Sequence, residues 1–214
     1  MKQPSPQLVL SAYTQGVFPM AHPEEDNKIY WYAPDPRAIM PIDDFHCPSR
    51  LAHTVKKRPF DIWIDRDFDA VVEGCAAPRK TQKQTWISSG LAAVFSELHR
   101  LGFVHTVEAW DGDELVGGLY GVSIGGFFAG ESMFYRKTDA SKICLVHLVR
   151  RLQDRGFALL DIQFTTDHLE QFGAREIPRD DYEQRLAEAI EMPCSFVNDD
   201  RSGTEGIRIV DAAP

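Results

Sequence analysis

Apolar residues change period several times along the chain, and each change predicts an element. Leu8, Leu10 and Tyr13 follow Pro4-Ser5-Pro6 and predict a short helix that Gly16 stops. Phe60–Ile64 alternates with period two, as a strand does. Asp67 suits the cap of a helix running through Cys75. Leu91, Val94, Phe95, Leu98 and Leu101 keep a helical period behind Ser88 or Ser89, and Gly102 stands where a C-terminal cap belongs. Phe103–Trp110 alternates again. Asp111-Gly112 is a hairpin signal, Leu115–Ser123 is the returning strand, and Gly125-Gly126 allows a second hairpin into Phe127–Phe134. Asp139 or Ser141 starts a helix bearing Ile143, Val146, Val149 and Leu152, closed by Gly156. Phe157–Gln163 is a further strand, and residues 179–191 form a charged helix with Tyr182, Leu186 and Ile190 inward.

This order predicts an α/β (α+β) fold, a mixed sheet with helices packed on it. Pro34-Asp35-Pro36-Arg37 is a rigid turn, because each proline fixes its own φ and restricts its predecessor. It divides a small N-terminal unit, residues 1–37, from a main domain, residues 38–192. Residues 193–214 are polar, with little pattern, and read as a tail.

The 214 residues suffice for one sizeable domain, and 43% apolar with 26% charged residues are ordinary globular values. No apolar run approaches the roughly 18–20 residues of a membrane-spanning helix. No apolar core follows the N-terminus, so secretion is not expected. The four cysteines, Cys47, Cys75, Cys144 and Cys194, are far apart and form no C-x-x-C pair. That excludes the usual zinc spacings and favours reduced thiols in a cytoplasmic protein. The seven histidines show no ligand spacing, so no metal is expected.

A net charge of −9 excludes a uniformly basic surface but not a local patch. Arg50, His53, Lys56, Lys57 and Arg58 form one basic segment without an intervening acid. Arg79, Lys80 and Lys83 form a second. Such segments hold phosphates, although a solvated helix face is their commoner fate. Gly117-Gly118-Leu119-Tyr120-Gly121 marks either a ligand's close approach or a bulged strand packed tightly on a helix. Glu131, inside Gly130-Glu131-Ser132-Met133-Phe134, must be paired if buried and otherwise faces water. Asp161 and Gln163 share one strand face with the apolar Leu159, and that points to function more than to an edge strand.

The order of elements is that of the acetyl-CoA-dependent (GNAT-like) acyltransferases, which is weak evidence of function by itself. Those enzymes offer a glycine-rich turn to the pyrophosphate before the long helix. Tyr135–Ser141 here has no glycine, and Asp139 would repel phosphate. The sheet is expected to be acyltransferase-like with a donor other than CoA.

Nine motifs in order carry a more specific resemblance. They are Gly16-Val17-Phe18-Pro19, Trp31-x-x-Pro34-Asp35-Pro36-Arg37, Glu73-Gly74-Cys75-Ala76, Thr85-Trp86-Ile87, Glu114 to Gly121, Gly130 to Phe134, Ala140-Ser141-Lys142, Asp161-x-Gln163 and Glu176-Ile177-Pro178-Arg179. Together they resemble the bacterial leucyl/phenylalanyl-tRNA–protein transferase family from about residue 8 to about residue 185. The resemblance implies transfer of Leu, Phe or, less well, Met from aminoacyl-tRNA to proteins beginning with Arg or Lys, which marks them for degradation. It implies no cofactor, metal or membrane. It also implies a short form of the first domain, lacking an N-terminal extension. Met20 stands where many members have Trp.

By the same resemblance, Asp161 and Gln163 stand at the reacting centre, with Asp161 accepting the amine proton or orienting the amine. Glu131 completes an acidic wall. Leu119, Phe128, Met133 and Leu148 line an apolar donor pocket, Trp86 stacks on the terminal adenosine, and Arg50, Lys57 and Arg58 hold acceptor-stem phosphates. Two other readings stand beside it. One is an acyl-CoA-dependent N-acetyltransferase. The other is a non-catalytic binder of tRNA or of basic N-termini.

Overall fold

The computed structural model describes residues 3–78, 84–197 and 206–209. Arg79, Lys80 and Lys83 lie outside the described residues. Helix α1 (Pro6–Tyr13) starts at Ser5, whose side chain accepts the Leu8 amide hydrogen, with proline in its first turn. Strands β1 (Phe18–His22) and β2 (Lys28–Tyr32) form a separate antiparallel hairpin. Then follow β3 (Arg37–Met40), α2 (Ser49–Lys56), β4 (Asp61–Ile64), α3 (Phe68–Ala76), α4 (Ser89–Arg100), β5 (Val104–Asp111), β6 (Glu114–Ile124) and β7 (Phe127–Tyr135). The chain ends with α5 (Ala140–Asp154), β8 (Leu159–Gln163), α6 (Asp167–Glu170), β9 (Arg175–Ile177), α7 (Arg179–Ile190) and β10 (Ile207–Ile209).

Eight strands form one mixed sheet in the order β10-β4-β5-β6-β7-β8-β3-β9. Neighbours are antiparallel except β7 and β8. Parallel neighbours need a crossover, and α5 supplies it. One core cluster lies between one sheet face and α1, α3, α4 and α7, and includes Val9, Phe95, Tyr120 and Leu186. The other lies under α2 and α5 and includes Leu51, Val55, Phe128 and Leu148. Among the described residues no helix is long and apolar enough to cross a membrane.

The predicted caps Asp67 and Ser88 hold their helices as expected. Gly102, Gly112, Gly125 and Gly156 all take positive φ at the turns they mark. Strand β10 corrects the reading of residues 193–214 as a patternless tail. Its alternation spans three residues, too few to register, and its pairing with β4 is long-range.

The glycine run of β6 serves packing. A Cβ on Gly117 would meet Ala140 Cβ at 2.6 Å, where α5 begins. A Cβ on Gly121 would overlap the Ala129 carbonyl and the Phe128 ring, beside the bulge at Tyr120/Gly121. Replacing Gly121 by Ala is therefore expected to cost about 1–3 kcal/mol or more, because backbone atoms must move. Chemical denaturation of the variant measures this. Unchanged stability would show that the strand pair has slack there.

Candidate active site

Strands β7 and β8 pair at Phe127↔Leu159, Phe128↔Leu160 and Ala129↔Asp161. Beyond that point β7 continues along β6 while β8 follows β3, and the sheet splits between them. Glu131 and Gln163 flank the opening. Gln163 Nε2 donates to Glu131 Oε1 across it at 3.3 Å.

The end of β8 is shaped by its own side chains. Gln163 has φ +59°, a left-handed conformation uncommon outside glycine. Its backbone N–H donates to Asp161 Oδ1 at 2.9 Å, a local turn that an aspartate side chain favours.

Asp161 is wholly buried. Arg37 Nε donates to Oδ1 at 2.9 Å and Nη2 to Oδ2 at 2.6 Å. Tyr182 donates to Oδ2 at 3.0 Å. With the Gln163 amide, the carboxylate accepts from four donors, about its full capacity. Arg37 is equally buried, gives Nη1 to the Gly16 carbonyl at 2.9 Å, and lies over the Phe18 and Tyr182 rings at 4.7 and 4.6 Å. Burial works against the guanidinium charge, but the bonds to Asp161 outweigh it and raise the pKa. Arg37 and Asp161 join the α1–β1 loop, β1, β3, β8 and α7 in one anchor.

Glu131 differs. As a whole residue it is half-buried. Burial of the carboxyl pushes its pKa up to about 8, Asp161 adds to the rise, and Tyr13 and Arg37 oppose it. The wholly buried Tyr13 hydroxyl lies beside Glu131 but outside hydrogen-bond geometry. A carboxyl poised near 8 exchanges a proton readily at neutral pH.

Beside the split, a cleft of about 730 Å³ is lined by Ser132, Met133 and Tyr135 of β7, by the start of α5, and by Thr166, His168 and Leu169. Of the four apolar residues read as a donor pocket, Met133 lines this cleft. Leu119, Phe128 and Leu148 are buried in the core beneath it, and Met133 packs on that core. At the start of α5, Asp139 takes φ +64°, makes no capping bond, and pairs with Lys142 Nζ at 2.9 Å.

The remaining candidates lie elsewhere. Trp86 is half-buried, edge-on to Phe95, and its carbonyl accepts from the Ala21 amide at 3.2 Å, which sets it next to the Met20 strand. Arg50 is exposed on α2, and Lys57 and Arg58 are exposed just after it. Arg37, Tyr13 and Tyr182 were not singled out as site residues from the sequence. The available signal was Arg37 itself. A charge heading the apolar run Ala38-Ile39-Met40 needs a buried acid, and Asp161 also interrupts an apolar strand.

A second buried polar cluster has a structural reading. Asp65 Oδ2 bonds His105 Nδ1 at 2.8 Å, and Asp65 Oδ1 accepts from the Thr106 amide at 2.8 Å. Glu108 accepts from the amides of Arg66 and Asp67 and from Trp110 Nε1. These bonds fasten the β4–α3 turn, where Asp65 takes φ +55°, onto β5.

The leucyl/phenylalanyl-tRNA protein transferase family model matches residues 39–187, and the model of that family's N-terminal domain matches residues 2–35. A leucyl/phenylalanyl-tRNA–protein transferase of Maricaulis maris (strain MCS10) is 48% identical over 204 residues, covering 94% of each chain. Among solved structures, L-PGS from Bacillus licheniformis is similar with a TM-score of 0.45 and 11% identity, over 86% of this chain and 76% of that one. Two family models spanning nearly all of the first 187 residues, and near-complete coverage at 48% identity, place the chain in the leucyl/phenylalanyl-tRNA–protein transferase family.

Proposed function

We propose that this chain transfers Leu or Phe, and less well Met, from aminoacyl-tRNA to the α-amine of proteins beginning with Arg or Lys, in the cytoplasm. Membership of the family carries this reading. The split sheet supports the GNAT-like acyltransferase architecture expected from the order of elements. The helix start at α5 counts against the acyl-CoA alternative, because Asp139 puts a carboxylate where a pyrophosphate would need bare amides.

The reaction is aminolysis of an ester. The amine nitrogen attacks the ester carbonyl, the C–N bond forms, the C–O bond breaks, and the tRNA leaves as its terminal hydroxyl. The acceptor α-amine has a pKa of about 7.7–8, so part of it is already unprotonated at neutral pH. Positioning two substrates and moving one proton is then the main demand. Glu131 takes the amine proton and can return it to the leaving oxygen. Gln163 orients the amine or the ester. Asp161 acts through the Arg37 anchor as a positioning residue, in place of the proton-accepting or amine-orienting role that the family resemblance implies.

In the same reading the donor side chain enters the cleft at Met133 and Leu169, with Leu119, Phe128 and Leu148 as its packed floor. Trp86 stacks on the terminal adenosine beside Met20. Arg50, Lys57 and Arg58 hold acceptor-stem phosphates. The test mixes the protein with labelled Leu-tRNA and a peptide beginning with Arg, or the same peptide beginning with Ala. Label on the Arg peptide alone is expected. No label from Leu-, Phe- or Met-tRNA would overturn the activity, and binding of both substrates without product would favour the non-catalytic binder.

A further inference from the structure

Tyr13 and Tyr120 bury two hydroxyls that take no part in the anchor at Asp161. Both rings lie in the core cluster that α1, α3 and α4 cover. Among the described residues neither hydroxyl has a hydrogen-bond partner. A buried hydroxyl without a partner costs stability, and phenylalanine would fill each place without that cost. The hydroxyls therefore call for an acceptor, and β7 supplies one. Tyr120 pairs with Ser132 and Gly121 with Gly130, so Glu131 is the extra residue of a β-bulge. The bulge re-phases the strand. Ala129 and Phe134, five apart, enter the same core cluster as the two tyrosines, while Met133 packs on the other. Glu131 keeps the phase of Ala129 and so shares the tyrosines' face of the sheet. It is the charge that acts most strongly on each hydroxyl, and Tyr120 acts on Tyr13 in turn. The Glu131 carboxyl is also short of donors. It accepts one bond, from Gln163 Nε2 at 3.3 Å, where a carboxylate has room for about four.

We propose that Tyr13 and Tyr120 are positioning residues for Glu131: Tyr13 donates its hydroxyl to the ionised carboxylate, Tyr120 donates to the Tyr13 oxygen, and the pair holds ready the form that takes the amine proton. The proton-accepting role of Glu131 rests on the transferase reading above. The contact needs no backbone movement. The terminal torsion of a glutamate side chain is broad, so the carboxyl can turn to a hydroxyl beside it. Charge drives the turn, since a bond to an ionised acceptor is about twice as strong as a neutral one. Burial by itself holds the proton on Glu131, and Asp161 adds to that hold. Tyr13 and Arg37 work in the opposite direction. The proton passes from the amine nitrogen to Glu131 and later to the leaving oxygen. Both tyrosines keep their own protons, because burial pushes them well above their ordinary 10. Asp161 and Gln163 of β8, Arg37 of β3 and Tyr182 of α7 complete the groups around Glu131, and Cys75 of α3 faces Tyr120.

The test compares wild type with Tyr13→Phe and repeats the comparison in a Glu131→Gln background. Circular dichroism checks folding, and Tyr120→Phe takes the place of Tyr13→Phe if that variant does not fold. Thermal denaturation without substrate comes first. Loss of a donor raises Glu131 further above its unfolded 4.5, so more stability is lost as pH climbs through 8. At about pH 6 the folded chain holds Glu131 protonated, and Tyr13→Phe is expected to melt at or above the wild-type midpoint. At about pH 9 Glu131 is ionised, and the variant is expected to melt below it. In the Glu131→Gln background the difference should be the same at both values, which also sets aside the titration of Cys75. A hydroxyl that serves packing alone would give a difference independent of pH in both backgrounds, and that result would overturn the contact. So would a pH-dependent difference that survives in Glu131→Gln. Kinetics come second. The acid limb of kcat should rise by about one pH unit in Tyr13→Phe, so transfer is about tenfold slower below the limb and the deficit closes above it. An unmoved limb beside an intact thermal effect would overturn the positioning role. Absence of any product from wild type, with the thermal effect intact, would count against the transferase reading and not against the contact.

Discussion

Replacing Asp161 by Ala is expected to destabilise the fold by about 3–5 kcal/mol, because it strands a buried guanidinium without its partner. Arg37 is 1% exposed and cannot turn to water without leaving the Phe18 and Tyr182 rings. Tyr182 also loses its acceptor, and the Gln163 amide loses the bond that shapes the end of β8. A loss of that size is a large part of the roughly 5–15 kcal/mol that holds an ordinary domain together. Urea denaturation measures it directly. The paired variant Arg37→Met/Asp161→Leu supplies the control. Removing both charges together should recover much of the loss, since the uncompensated charge, and not the missing attraction, dominates the cost. If the single variant is as stable as wild type, the anchor is not what holds these elements together.

The stability result also governs how activity is interpreted. Slow transfer by an Asp161 variant identifies no base if the protein is partly unfolded. The informative measurement is kcat and KM at a temperature where the variant is folded. A positioning residue is expected to change both, through the misplaced Gln163 side chain, and the acid limb of the pH profile should move down, because Asp161 helps to hold the Glu131 pKa up.

Local rules carried α1, α3, α4, α5 and α7 and the central meander. Caps at Asp67 and Ser88, positive-φ glycines and alternating runs are short-range signals, and the structure keeps them. The hairpin β1–β2, strands β3, β9 and β10 and the short helices α2 and α6 escaped, because short elements have little periodicity and these strands owe their place to distant partners. The site was half legible for the same reason. Glu131, Asp161 and Gln163 stood out as polar residues in apolar strands, but alternation alone does not tell a fully paired buried carboxylate from one that is only half-buried. That distinction came from Arg37, 124 positions away in the chain. Leu119, Phe128 and Leu148 were drawn toward a pocket by the family resemblance, whereas the sheet buries them under α5.

Replacing Glu131 by Gln is expected to slow transfer by about 10²–10⁴-fold, the usual contribution of a positioned proton acceptor. The substitution keeps an oxygen to accept from Gln163 Nε2, so the bridge across the split survives while the titrating group is gone. In the folded chain Glu131 has its pKa raised from an ordinary 4.5 to about 8. The folded state therefore holds a proton that the unfolded chain has released between those values. Its stabilising contribution is full below pH 4.5 and lost as pH rises through 8. Glu131→Gln should remove that part of the pH dependence, which thermal denaturation across the same window reads without any substrate. The rate profile needs more care, because the acceptor α-amine titrates at about 7.7–8, in the same range. A cationic N-terminus docked beside Glu131 favours the carboxylate, so the acid limb of kcat should lie below that of kcat/KM. In the variant the amine limb should remain in kcat/KM while the separation between the two profiles disappears. Wild-type rates, or a separation that survives the substitution, would move the proton acceptor from Glu131 to the substrates themselves.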